Sequence, residues 1–379
     1  MMWTIGPDRP IHVRVPATSA NLGPGFDALG LALALHDDVE AWITDSGLTI
    51  EVTGEGERQN LAEAGEKHLV VQAMRAGFDA FAGCQPPGLA LRCTNRIPHG
   101  RGLGSSAAAI VAGLLAAQAL SAPGPDAAQP APKPAGQPAS KPAGQPASKP
   151  TGQPASQPAP KPTAQLELLA LATDIEGHPD NVAACLAGGL TIAWATPTTR
   201  PRMVRLDPSP TIRPVLCIAP AEIAVSTEVA RKALPSTVPH REAAANAGRA
   251  ALLIAALTQP EASQELLDAT EDWLHQSYRA QAMPDTYALL ENLRAHRIPA
   301  VVSGAGPSVL ALLSSSDVLF SGRLLDSLGS IVRETGKAWD ISPLDVQRHG
   351  ARLLRTDASG PRGTATPPLR DTDGCEGMP

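Results

Sequence analysis

Between Pro98 and Ala109 the chain reads PHGRGLGSSAAA, a spacing of small residues and hydroxyls suited to holding an anion. Gly100, Gly102 and Gly104 let the backbone curl and come close to a ligand. Ser105 and Ser106 follow, and helix formers then run from Ala107 to Leu120. A glycine loop opening into a helix turns unpaired N–H groups and the positive end of the helix dipole outward, which is the setting for a phosphate. GLGSSA lacks the lysine of a Walker loop, so backbone amides, the helix end and a cation held by hydroxyls must do the gripping. The alternative for the same residues is a tight turn before a helix capped by Ser105. A cation beside such a loop needs few protein ligands, and Ser106 offers a hydroxyl and Glu176 a carboxylate. Glu176 otherwise reads as a solvated carboxylate at a helix C-terminus, where an anion is disfavoured unless a cation joins it.

Other segments carry polar residues in ordered patterns. VRVPATSANLGPGFDALGLAL spans Val13 to Leu33, and VVSGAGPSVLALL spans Val301 to Leu313. EGHPDN runs from Glu176 to Asn181, STEVARKALP from Ser226 to Pro235 and LHQSYR from Leu274 to Arg279. With the glycine loop, these segments resemble the GHMP kinases, whose phosphate loop P-x-x-x-G-L-G-S-S-A is matched without a gap. PATSANLGPGFD and the last three segments resemble the members of that family that act on homoserine. The resemblance runs in order from Ile11 to Leu354.

It implies ATP and Mg2+ as cofactors and L-homoserine as the small-molecule substrate, phosphorylated on its hydroxyl for threonine synthesis. Pro98, Gly100, Arg101, Gly102, Leu103, Gly104, Ser105, Ser106, Ala107 and Ala108 would face the nucleotide phosphates, with Ser106 and Glu176 on the metal. Asn21, Asp27, His178, Arg231 and Arg279 would bind the substrate. Asp27 suits its ammonium, Asn21 the ammonium or hydroxyl, and the two arginines its carboxylate through two-pronged bonds. Asn181, Thr227 and Arg231 are the residues expected at the chemistry. Asn181 cannot take a proton at neutral pH and would orient the hydroxyl; Thr227 would touch the transferring phosphate; Asp180 is expected to point away. Ser303 to Pro307 would form a second glycine turn that braces the phosphate loop or the substrate.

Each of these residues also has a plainer reading. Asn21 and Asp27 flank Gly23-Pro24-Gly25 and suit a turn, His178 could satisfy a backbone carbonyl, and Arg279 could be an exposed helix arginine. Family members often show an asparagine where Lys67-His68 precedes Leu69-Val70, so adenine and ribose contacts are unassigned. Two alternatives stand beside the main reading: a mevalonate-pathway type of GHMP kinase, whose substrate has no ammonium for Asp27, or a non-catalytic metabolite-binding relative.

The chain of 379 residues is long enough for two domains. A net charge of −6 without a basic patch argues against nucleic acid as a partner. No apolar stretch is long enough to span a membrane, and MMWTIGPDRP lacks the charged and apolar regions of a secretory signal. Five irregularly spaced cysteines fit reduced thiols in a cytoplasmic protein. A homodimer is left open.

The elements that must position these groups alternate between two periods. Strands are expected at His12–Val15, Leu29–Leu35, Val39–Thr44, Leu48–Val52, Leu89–Thr94, Leu190–Ala195, Val215–Ala219 and Ala300–Val302. Helices are expected from Ala107, around Leu168 to Ile175, and at Arg241–Leu257, Thr270–Ala280 and Asp285–Arg297. The order argues an α+β fold. The resemblance implies an N-terminal ATP-binding domain, residues 1–204, and a C-terminal ferredoxin-like domain, residues 205–355, with the site between them. Residues 121–165, where KPAGQPAS repeats, read as a disordered proline-rich insert, and residues 356–379 as a disordered tail.

Overall fold

The structure, a computed structural model, describes residues 3, 6, 10–122, 162–196, 198–223, 227–314 and 323–354. The chain opens with strands β1 (Ile11–Ala20), β2 (Leu29–Thr44) and β3 (Gly47–Gly54), helix α1 (Leu69–Phe81), strand β4 (Gly88–Asn95) and helix α2 (Ser105–Ser121). Helices α3 (Pro162–Glu176) and α4 (Pro179–Ala187) lead to strands β5 (Leu190–Thr196) and β6 (Thr199–Leu206). These strands form one sheet in the order β1-β2-β4-β3, with β5 also on β2 and β6 on β5. The two strands expected between Leu29 and Thr44 are one continuous β2, bent where its register with β1 shifts at Pro16/Ala17. α2 and α4 pack on β1 and β2. α2 is alanine-rich and buried along most of its length, and it lies close to α1: a Cβ on Gly113 would stand 2.5 Å from Val70 O.

The second half begins with β7 (Ile212–Ile218) and helices α5 (Thr227–Lys232), α6 (His240–Thr258), α7 (Leu266–Ala269), α8 (Gln276–Arg279) and α9 (Pro284–Ala295). It continues through β8 (Ala300–Val302), β9 (Val309–Ser314), α10 (Arg323–Glu334), β10 (Asp340–Pro343) and β11 (Arg352–Leu354). Strands β7 to β10 form a fully antiparallel sheet in the order β10-β7-β9-β8. With helices between β7 and β8 and between β9 and β10, this is the β-α-β-β-α-β arrangement of a ferredoxin-like unit. Its core sets Val215, Val302, Val309 and Ala311 of the sheet against Leu289, Leu293, Leu328 and Ile331 of α9 and α10.

Three local expectations differ from the structure. The boundary at 204/205 falls inside β6, whose ladder with β5 runs through Leu206; Pro208 and Pro210, which have no N–H to give, follow it. The chain also returns to the first sheet near its end, where β11 pairs with β1. The helix expected at Thr270–Ala280 is only the single turn α8, because the Asp272 carboxylate accepts the N–H groups of Leu274, His275 and Gln276 and diverts the backbone. α2 and α3 claim residue 121 and residues 162–165 of the expected insert; residues 123–161 and the tail lie outside the described residues.

Candidate active site

The glycine loop forms as its composition demands. Gly100, Gly102 and Gly104 have φ of 65°, 71° and 67°, which disfavours any side chain there. At two of the three, space forbids one as well: a Cβ on Gly102 would lie 2.1 Å from Ser303 O, and one on Gly104 would collide with Thr18 Oγ1. Gly104, not Ser105, caps α2, and no side chain bonds the first turn. The helix end therefore keeps its polarity for a ligand rather than for a capping hydroxyl. Leu103, Ala107 and Ala108 are buried and anchor the loop in the core, while Arg101 Nη1 donates to Ile223 O across to the second half.

The second glycine turn braces this loop. Ser303 Oγ donates to Gly102 O at 2.7 Å and lies 2.8 Å from Ser19 Oγ, whose hydroxyl can donate to it, and Gly304 N donates to Ala20 O at 3.1 Å. Asn21 stitches the same seam. Its Nδ2 donates to Gly304 O at 2.8 Å and its Oδ1 accepts Asp27 N at 2.9 Å. Its amide is thus engaged at both ends within the protein, which is the turn-forming role among its two readings.

One cleft gathers Asn21, Ser105, Ser106, Glu176, His178, Asp180, Asn181, Arg231 and Arg279 around this loop. Ser106 Oγ donates to Glu176 Oε1 at 2.6 Å. Burial raises the Glu176 carboxyl above its ordinary pKa, against the bond from Ser106, which lowers it. Asp180 does not point away. It lines the cleft, is 2% exposed, lies 3.7 Å from His178 Nδ1 and accepts the N–H of Asn181, and burial raises its pKa too. Its place at the first turn of α4 directs it inward with Asn181.

Asn181 Oδ1 accepts the Thr18 hydroxyl at 2.8 Å, leaving its Nδ2 as the free end. Arg231 makes a two-pronged ion pair with Asp27, at 2.6 and 2.9 Å, so the two residues expected to hold opposite ends of a substrate hold each other. Arg279 is no exposed helix arginine. It is 2% exposed, and burial lowers its pKa. Nη1 reaches only to 3.5 Å from Gly304 O, and Nε has no hydrogen-bond partner among the described residues. Thr227 heads α5, but its side chain lies outside the described residues.

A second pocket shares Ser105 and Ser106 with the cleft. Its walls are apolar, from Val15, Val39, Leu61, Leu69, Val70 and Ala108, with Asp37, Lys67, His68, Asn95 and His99 among them. Burial lowers the pKa of His68 and His99, favouring neutral rings. Burial also lifts the Asp37 carboxyl to about 6, although it accepts Arg96 N at 2.6 Å and Ile97 N at 2.9 Å. Sequence reasoning missed this pocket, and also Thr18 and Phe26. The departure at Lys67-His68 was its only trace. Of the five cysteines, Cys93, Cys185 and Cys217 are buried, and burial pushes the Cys93 thiol up to about 12, which makes it inert.

The family "GHMP kinases N terminal domain" matches residues 68–131. A homoserine kinase of Streptomyces avermitilis is 48% identical over 345 residues, 91% of this chain and 95% of its own length. One from Mycobacterium tuberculosis is 43% identical over 80% of this chain and 84% of its own. The solved homoserine kinase of Cytophaga hutchinsonii superposes with a TM-score of 0.70 at 22% identity, over 93% of this chain and 100% of that one.

Proposed function

This chain belongs to the homoserine kinases of the GHMP kinase family, and on that premise we propose how its cleft phosphorylates the hydroxyl of L-homoserine with ATP. The γ-phosphoryl group leaves the bridging oxygen of ATP, giving ADP, and bonds to the homoserine hydroxyl oxygen, giving O-phospho-L-homoserine. The hydroxyl proton passes to a phosphate oxygen or to water. The product feeds threonine synthesis in the cytoplasm. No helix among the described residues is long and apolar enough to cross a membrane.

The observation that carries this reading is the pairing of two unspent binding elements in one cleft. On one wall lies the uncapped N-terminus of α2 with Ser106 beside Glu176; on the other lies the buried, largely unpaired guanidinium of Arg279. A polyphosphate suits the first and a carboxylate suits the second. The pocket beyond Ser105 and Ser106 suits the base and sugar of the nucleotide, since it is apolar with a few polar groups.

The donor set at the loop fits magnesium, a hard cation that takes oxygen ligands and keeps several waters. Ser106 and Glu176 would hold it. Among the described residues no group of three or more His, Cys, Asp or Glu side chains gathers as a metal cluster, and a magnesium shared with phosphates does not need one. Held by Ser106 and Glu176, the ion would supply positive charge beside the phosphates. Asn181 cannot accept a proton; its Nδ2 holds the substrate hydroxyl oxygen in line. Arg231 and Arg279 take the substrate carboxylate and Asp27 its ammonium. Arg279→Lys keeps the charge and loses the fork. It should raise the homoserine KM roughly tenfold or more and leave the ATP KM in place. Equal loss for both substrates would contradict the assignment.

A further inference from the structure

Phe26 is half-buried in the wall of the cleft, with both arginines against its ring. Its ring stacks on His275, with centroids 4.2 Å apart and planes 7° from parallel. His275 is itself fixed, because its Nδ1 lies 2.9 Å from Asp272 Oδ1. The Asp272 side chain is fully buried and accepts three backbone N–H groups besides. This column of three side chains is rigid from its base upward. At its top, the guanidinium carbon of Arg279 lies 5.3 Å from the Phe26 ring centroid and that of Arg231 5.5 Å from it.

Two guanidinium groups facing one cleft repel each other, and each lowers the other's welcome there. The electron-rich face of an aromatic ring attracts both without neutralising either. Carboxylate partners would instead spend the forks. Arg279 lacks such a partner, and its Nε, like that of Arg231, makes no hydrogen bond among the described residues. Arg231 already spends its fork on Asp27, whereas the ring supports Arg279 beside it and leaves that guanidinium's donors free.

We propose that Phe26, locked by His275 and Asp272, is a positioning residue that holds Arg231 and Arg279 for the substrate carboxylate and so sets selectivity for an α-amino acid. The inference rests on the function proposed above. Phe26 touches no reacting atom. Its effect belongs in the KM of the amino acid, and it vanishes for an acceptor with no carboxylate.

The test is steady-state kinetics on the full chain with Phe26→Leu, Phe26→Tyr and His275→Leu, each checked by thermal melting. Phe26→Leu keeps apolar bulk and loses the ring. Its homoserine KM should rise tenfold or more, with the ATP KM and kcat each within about threefold of wild type. Phe26→Tyr should restore the KM, and His275→Leu should raise it in the same direction by less. For 3-aminopropan-1-ol, which is homoserine without its carboxylate, wild type and Phe26→Leu should have the same kcat/KM. An unmoved homoserine KM in folded Phe26→Leu, or an equal penalty on the decarboxylated acceptor or on ATP, overturns the inference. Wild-type turnover of homoserine is measured first. Its absence overturns the function and this inference together, whereas normal wild-type turnover with an unmoved Phe26→Leu overturns the inference alone.

Discussion

Arg231, which lines the cleft, grips Asp27 with both prongs of its guanidinium, Nη2 to Oδ1 at 2.6 Å and Nη1 to Oδ2 at 2.9 Å. The pair imitates what an amino-acid zwitterion offers. On the proposed function, a substrate carrying both charges would exchange with it, giving its carboxylate to Arg231 and its ammonium to Asp27. A ligand with one charge breaks the pair and leaves one member without a partner.

From that exchange follows a selectivity rule. Acceptors lacking either charge, 3-aminopropan-1-ol and 4-hydroxybutanoate, should each lose kcat/KM by roughly two powers of ten or more, because an orphaned charge costs beyond the lost contact. Asp27→Asn should narrow the gap between homoserine and 4-hydroxybutanoate, since no anion is then left unpaired. Competition kinetics with the three acceptors read this directly. A gap unchanged in Asp27→Asn would mean that the pair is not opened by substrate.

Glu176 supplies the carboxylate at the phosphate loop. Glu176→Gln keeps its size and removes the anion, and turnover should fall by roughly two powers of ten, with partial recovery at raised magnesium. Because burial raises the Glu176 pKa, acid protonates it early, so the magnesium needed for half-maximal rate should climb as pH falls. Magnesium titrations at two pH values check both points. A Glu176→Gln enzyme with wild-type magnesium dependence would falsify the assignment and turn attention to Asp180.

Asn181 and Asp180 adjoin in sequence and line the same cleft, yet only one is expected to matter in kcat. Asn181→Ala should lower kcat by misaligning the hydroxyl. Thr18→Val should do so by roughly fivefold to tenfold, the equivalent of one hydrogen bond of ~1 kcal/mol. Asp180→Asn should cost less in kcat. If Asp180→Asn abolishes turnover in folded protein while Asn181→Ala does not, Asp180 is the base.

The sequence showed the phosphate loop, because three glycines before two serines and an alanine run leave few other conformations. It also showed the α+β alternation, and the polar residues that line the cleft were all singled out, whereas Phe26 in its wall and Thr18 behind Asn181 were not. What stayed hidden arises from contacts distant in sequence. Thr18 meets Asn181 across 163 residues, and Phe26 meets His275 only after the two halves close. The pocket beside Ser105 draws Asp37, His68 and the pair Asn95 and His99 from three separate segments with no common spacing. The Thr270–Ala280 region failed for a local reason, since helical spacing of apolar residues says nothing of an aspartate that captures three backbone amides.

Asp37 makes a prediction about stability. Its carboxyl is raised from 3.8 to about 6 mainly by burial, so the folded state holds a proton that the unfolded chain has released. That contribution is whole below about pH 4 and is lost as pH rises through about 6, a change on the order of 3 kcal/mol. Asp37→Asn keeps an acceptor oxygen for Arg96 and Ile97 and has no charge to bury. Denaturant unfolding should therefore show the variant gaining on wild type between pH 4.5 and pH 7, whereas a constant difference would contradict the burial argument.

The central claim is tested most directly by ADP release from ATP and magnesium with four acceptors offered separately: homoserine, mevalonate, galactose and shikimate. Only homoserine should drive sustained ADP release, with O-phospho-L-homoserine formed in equal amount. Turnover of mevalonate or another acceptor without turnover of homoserine, or none with any of the four, would contradict the account.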